Sequence, residues 1–161
     1  MSEAAFVGAL GGVFEHSPWV AERAWAARPF GDVEALHRAM ADAVLGATPA
    51  ERIALLRAHP DLAGRAVRAG AITGSSLAEQ SSAGLDRLAD AEYERFHRLN
   101  GEYRERFGFP FIVAVRRHDK ASILAAFERR LGHSREVEIE AALAEVFDIA
   151  RIRLGRLLGA G

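Results

Sequence analysis

Five short patterns in the chain carry side chains able to do chemistry. His59-Pro60-Asp61 sets an imidazole beside a proline that stiffens the backbone after it and an acid able to orient the ring. That combination suits acid/base work, and it equally fits a helix-terminal histidine interacting with free carbonyls. Ser76-Leu77-Ala78-Glu79-Gln80 also reads in two ways. It is a capping box, with Ser at the N-cap and Glu at N3, or a helix N-terminus whose hydroxyl, acid, amide and free N–H groups receive an anionic ligand. Arg153 follows Ala150 by three residues and Val146 by seven, so its guanidinium sits beside or on the apolar stripe of the last helix. A carboxylate must answer it there, either one of the protein or one of a ligand. Glu34-x-x-His37 and Glu94-x-x-His97 have the spacing that places an acid and an imidazole on one helix face, as in di-iron bundles, which also need two further inward-facing Glu residues. His16, His118 and His133 stand among polar neighbours, where solvent exposure accounts for them. No H-E-x-x-H, P-loop, G-x-S-x-G or dinucleotide glycine fingerprint occurs.

The elements that must position these residues are helices. Apolar residues recur at three and four rather than at two, and Ala, Leu, Arg and Glu dominate, so the expected fold is all-α, a compact single-domain bundle of about seven to eight helices over residues 1–161. Ser17-Pro18 opens a short helix with Trp19, Val20 and Trp25, whose tryptophans are expected in the core, and Pro29 stops it. Asp32 caps a helix striped by Leu36, Met40 and Val44 and closed at Gly46. Thr48-Pro49-Ala50-Glu51 is a capping box whose helix finishes near His59, because Pro60 disfavours helical geometry before it. Residues 61–82, punctuated by Gly64, Gly70 and Gly74, should hold short helical pieces and turns. A long helix follows from about Asp86 to Phe107, stopped by Gly108. The run Phe109 to Val115 is a buried extended segment or the foot of another helix, and periodicity does not separate the two. Asp119 and Gly132 bracket the next helix, and Ser134 opens a last one striped by Ile139, Leu143, Val146, Ala150 and Leu157.

Composition narrows the function classes. With 161 residues, half of them hydrophobic, the chain can bury one sizeable core without disulfide or metal support. Lys plus Arg number 21 and Asp plus Glu 22, a net charge of −1, so no positive field gathers nucleic acid or anionic lipid. Cysteine is absent, which removes thiolate metal sites and cysteine nucleophiles. The apolar stretch Ala4 to Val13 lacks a basic leader and runs into Glu15, so no signal peptide or membrane span is expected and a cytoplasmic location is the default.

Read together, His59-Pro60-Asp61-Leu62-Ala63-Gly64, then Ser76-x-x-Glu79-Gln80 with Ala83-Gly84-Leu85, then Asn100-x-x-Tyr103-x-x-x-Phe107-Gly108-Phe109-Pro110-Phe111-Ile112, and finally Arg153-Leu154, resemble the 2-oxo-4-hydroxy-4-carboxy-5-ureidoimidazoline (OHCU) decarboxylases of the urate-to-allantoin route. The resemblance covers nearly the whole chain. It implies a carboxy-lyase with no cofactor and no metal, acting on OHCU to give (S)-allantoin, and a homodimer. By the same resemblance His59 is the acid/base residue and Glu79 its catalytic partner. Ser76 and Gln80 hold the substrate, and Arg153 binds its carboxylate or ureido edge. Pro60, Phe111, Ile112, Val113, Ala114 and Val115 line the pocket, partly through main-chain groups. Departures from the family pattern are mild: Arg65 stands where Lys is expected, and Gly132-His133-Ser134 is an unusual link before the last helix.

Overall fold

The structure, a computed structural model, describes residues 1–64, 67 and 70–159. Within them the chain forms eight α-helices, two short 3-10 turns and no strand, as the helical periodicity requires. The helices are α1 (Glu3–Leu10), α2 (Trp19–Ala24), α3 (Val33–Leu45), α4 (Pro49–Arg57), α5 (Gly74–Ser82), α6 (Asp90–Phe107), α7 (Lys120–Leu131) and α8 (Arg135–Leu158). The 3-10 turns are Trp25–Ala27 and Val115–Arg117. Contacts group the chain into two compact units, one of Met1–Ala58 with Val146–Gly161, the other of His59–Glu145. Arg65 lies outside the described residues.

In the first unit local chemistry sets the helix ends. Asp32 accepts the Ala35 N–H at 2.7 Å and starts α3, which buries Leu36, Met40 and Val44 and closes at Gly46. Thr48 and Glu51 exchange reciprocal bonds of 3.1 and 3.0 Å at the head of α4, the capping box expected from the sequence. A hydrogen bond from Arg23, with the Thr48 N–H, holds the Glu51 carboxyl well below the usual range, at about 2. Helix α4 ends at Arg57, two residues before His59. Ahead of these, Ser2 accepts the Ala5 N–H at 3.1 Å and starts α1, a helix not expected from the sequence.

Three expectations are corrected in this unit. Ser17 does not cap α2; its hydroxyl donates to the Glu15 carbonyl at 2.9 Å, and Pro18 occupies the cap position. Trp19 and Trp25 are only half-buried, with the Arg23 and Arg28 guanidiniums 4.5 and 4.0 Å from their ring centres. A six-residue helix has one inner face, and Val20, Ala21 and Ala24 fill it. Leu157 is 59% exposed, so the buried stripe of α8 stops at Leu154.

In the second unit α6 begins at Asp90 rather than near Asp86, because the Ala89 N–H is taken by the Glu92 carboxylate at 3.3 Å. It ends at Gly108, whose φ of 82° is a left-handed geometry that glycine adopts without strain. The run after it is buried and non-helical from Phe109 to Ala114 and then enters the Val115–Arg117 turn. A buried irregular backbone needs partners for its polar groups, and charged side chains supply two. Arg130 donates to the Ile112 carbonyl at 2.6 Å, and Glu145 accepts the Ala114 N–H at 3.1 Å. Helix α7 is capped by Asp119, which accepts the Ser122 N–H at 2.8 Å, and Ser134 precedes α8 and accepts the Val137 N–H at 3.3 Å.

Candidate active site

His59 is 8% exposed and begins a tight turn. Asp61 gives one carboxylate oxygen to Arg104 at 2.8 Å. Ala63 holds a left-handed φ of 55°, which disfavours a residue with a Cβ, and its N–H donates to Gln80 Oε1 at 2.8 Å. The other half of the same amide donates through Nε2 to the Asp61 carbonyl at 3.2 Å. Asn100 of α6 donates to the carbonyl between them, that of Leu62, at 2.8 Å. Two side chains from two helices, Gln80 and Asn100, therefore fix the backbone that follows His59, while Arg104 holds the Asp61 side chain.

Helix α5 starts earlier than the Ser76 capping box would place it. Thr73 is the cap and accepts the Ser76 N–H at 3.3 Å, so Ser76 is the third helical residue, buried at 4% exposure. The simpler explanation of Ser76 and Glu79 as a cap thereby falls away. Ser76, Glu79 and Gln80 instead share one helix face by their spacing of three and four. Gln80 is buried at 2% and Glu79 is half-buried. The Val115–Arg117 turn packs against this helix, which brings the end of the Phe111–Val115 segment to the element carrying Ser76, Glu79 and Gln80.

Phe111, Ile112, Val113, Ala114 and Val115 are all buried and rest on a charged anchor that their sequence does not announce. Glu138, fully buried on α8, accepts from Tyr103 Oη at 2.5 Å and from Arg130 Nε at 2.8 Å, and its other oxygen bonds His133 Nδ1 at 3.0 Å. The Arg130 guanidinium also lies 4.4 Å from the Phe111 ring centre. Burial, and the Glu138 carboxylate that accepts its proton, push the Tyr103 phenol above its ordinary range, so it remains a donor. His133, expected at the solvent from its polar neighbours, touches this buried acid.

Arg153 belongs to the other unit and is 5% exposed, as its place on the stripe of α8 predicts. Its Nη1 donates to the Val13 carbonyl at 3.3 Å and stands 3.6 Å from the carboxylate of Glu15, itself 2% exposed. Of the two carboxylates open to it in sequence, the protein's own is thus present. Glu34 is paired with Arg151 at 2.7 Å and His37 Nε2 bonds the Phe147 carbonyl at 2.8 Å, while Glu94 and His97 are exposed. No group of three or more His, Cys, Asp or Glu residues among those described could hold a metal ion.

Fold and site define an all-helical protein with a buried histidine on a turn that Gln80 ties by two hydrogen bonds to the helix also bearing Ser76 and Glu79. The sequence model of the OHCU decarboxylase family matches residues 1–155, and the chain belongs to that family. It is similar to the 2-oxo-4-hydroxy-4-carboxy-5-ureidoimidazoline decarboxylase of Haloferax volcanii, 50% identical over 96% of this chain and 89% of the relative. The protein of the same name from Mus musculus is 41% identical over 96% of this chain and 87% of its own. Among solved structures, a crystal structure of (S)-allantoin synthase superposes with a TM-score of 0.75 at 36% identity, covering 98% of this chain, which spans 51% of the length of that one.

Proposed function

We propose that the chain decarboxylates OHCU and protonates the product stereospecifically to (S)-allantoin, in urate degradation. The observation that carries this reading is the Gln80 amide, which ties the His59 turn to the helix bearing Ser76 and Glu79. An acid/base imidazole and a carboxylate on two elements locked together is what a proton-transfer site requires. The names of the two decarboxylase relatives support the substrate assignment.

The chemistry needs no outside electron sink. As the bond to CO2 breaks, its electron pair passes into the adjacent ring imine. The ring nitrogen that receives the pair takes up a proton from solvent, and the enol so formed loses its hydroxyl proton and gains a proton on the carbon bearing the ureido group. His59 delivers that proton to one face, and Glu79 orients the 4-hydroxyl and carboxylate with it. Ser76 and the second Nε2 hydrogen of Gln80 hold the substrate's polar edge, Pro60 and Phe111–Val115 shape the pocket, and Arg153 binds the carboxylate or ureido edge. We extend the reading, on family resemblance, to one functional domain over residues 1–161, a homodimer and a cytoplasmic location. Among the described residues, no helix is long and apolar enough to cross a membrane.

The test is to supply freshly generated OHCU to purified protein and follow allantoin by chiral detection. An excess of the (S) enantiomer over the spontaneous reaction is expected, and a product no more enantiopure than the uncatalysed one would sink the assignment. In the same assay Glu79→Gln is expected to lower kcat on the order of 10²-fold, the scale of a lost acid/base partner. Unchanged kcat would remove Glu79 from the mechanism.

A further inference from the structure

We propose that Asn100, which no chemical pattern in the sequence singles out, is a positioning residue that sets the His59 imidazole through the backbone of the 59–64 turn. Asn100 is 6% exposed on α6, and its Nδ2 donates to the Leu62 carbonyl at 2.8 Å. Its Oδ1 is buried and has no hydrogen-bond partner among the described residues. Stability alone gives a poor account of such a residue. One bond gained is offset by one buried acceptor left unmade, so an apolar side chain of similar volume would serve the core about as well. The bond acts where it matters for geometry. Leu62 lies three residues after His59, between Asp61 and Ala63, whose carbonyl and N–H are held by Gln80. With the left-handed Ala63 the turn has a conformation that it would not keep unaided, and Asn100 holds it from α6 where Gln80 holds it from α5.

The inference rests on the reading of His59 as the proton carrier, and the experiment separates the two. In the full chain, Asn100→Leu removes the donor and the unpaired acceptor together, and Asn100→Ser shortens the side chain. The measurements are thermal unfolding, kcat and KM for OHCU, and the imidazole Cε1–H resonances of the six histidines, with His59 assigned by its loss in His59→Ala. The variants are expected to unfold within about 4 °C of the parent. Their kcat falls roughly 10- to 100-fold with little change in KM, as misplacing a reacting group by about 1 Å does. The His59 resonance moves while the others stay. Wild-type kcat, a change confined to KM, or a lost kcat with an unmoved His59 resonance each overturns the proposal. So does failure of both variants to fold, since the donor would then be a requirement of the core. If His59→Ala itself turns over normally, the reading of the site fails instead.

Discussion

His59→Ala is expected to yield a folded protein whose kcat is lower by on the order of 10²- to 10⁴-fold, the range that one positioned acid/base group contributes. The fold should survive because the turn after His59 is held by side chains other than its own: Gln80 on the Asp61 carbonyl and Ala63 N–H, Asn100 on the Leu62 carbonyl and Arg104 on the Asp61 carboxylate. Helix α4 has also already ended, with the Ala58 N–H bonded back to the Ala54 carbonyl. The lost imidazole is the group on this turn able both to give and to take a proton. Two readouts together identify its role. Residual turnover should fall, and the allantoin formed should lose its (S) excess, since water protonates either face of the enol. Near-normal rate and enantiopurity in a folded variant would refute the acid/base assignment.

Glu138→Ala is expected to reduce folding stability by about 3–5 kcal/mol, because it leaves the Arg130 cation, 4% exposed, without its counter-charge. That is a large fraction of the roughly 5–15 kcal/mol that holds a domain together. The loss does not stop at the ion pair. Tyr103 loses the acceptor for its hydroxyl, and Arg130 also carries the bond to the Ile112 carbonyl, so the Phe111–Val115 segment loosens with it. Tyr103→Phe removes one charge-assisted bond and should cost less, about 1.5–3 kcal/mol. The phenol's raised pKa also fixes a sign. Its contribution is fully present below the ordinary tyrosine value of about 10 and is lost as pH climbs above it. Urea unfolding of the parent and both variants checks the order, and a Glu138→Ala midpoint equal to that of the parent would show that the cluster holds nothing.

The sequence by itself determined the helices and much of their limits. Asp32, Thr48 with Glu51, Asp119 and Gly108 act within three or four residues of themselves, and each does in the structure what its type and spacing demand. The all-α class, the buried stripe through Leu36, Met40 and Val44, and the burial of Arg153 follow from the same local rules. The motif residues His59, Ser76, Glu79 and Gln80 were legible through family resemblance, but their arrangement was not. Gln80 reaches back 17 residues to Ala63, Asn100 reaches 38 to Leu62, and Arg104 reaches 43 to Asp61. Glu138 meets Tyr103 across 35 residues and, like Glu15, is a buried acid whose neighbours in sequence do not announce its partner. Only the tertiary structure decided these pairings. A cap is chosen by bonds inside one turn of helix, whereas a buried carboxylate or amide is tolerated only where the folded chain brings a partner to it, and that partner can come from anywhere in the sequence.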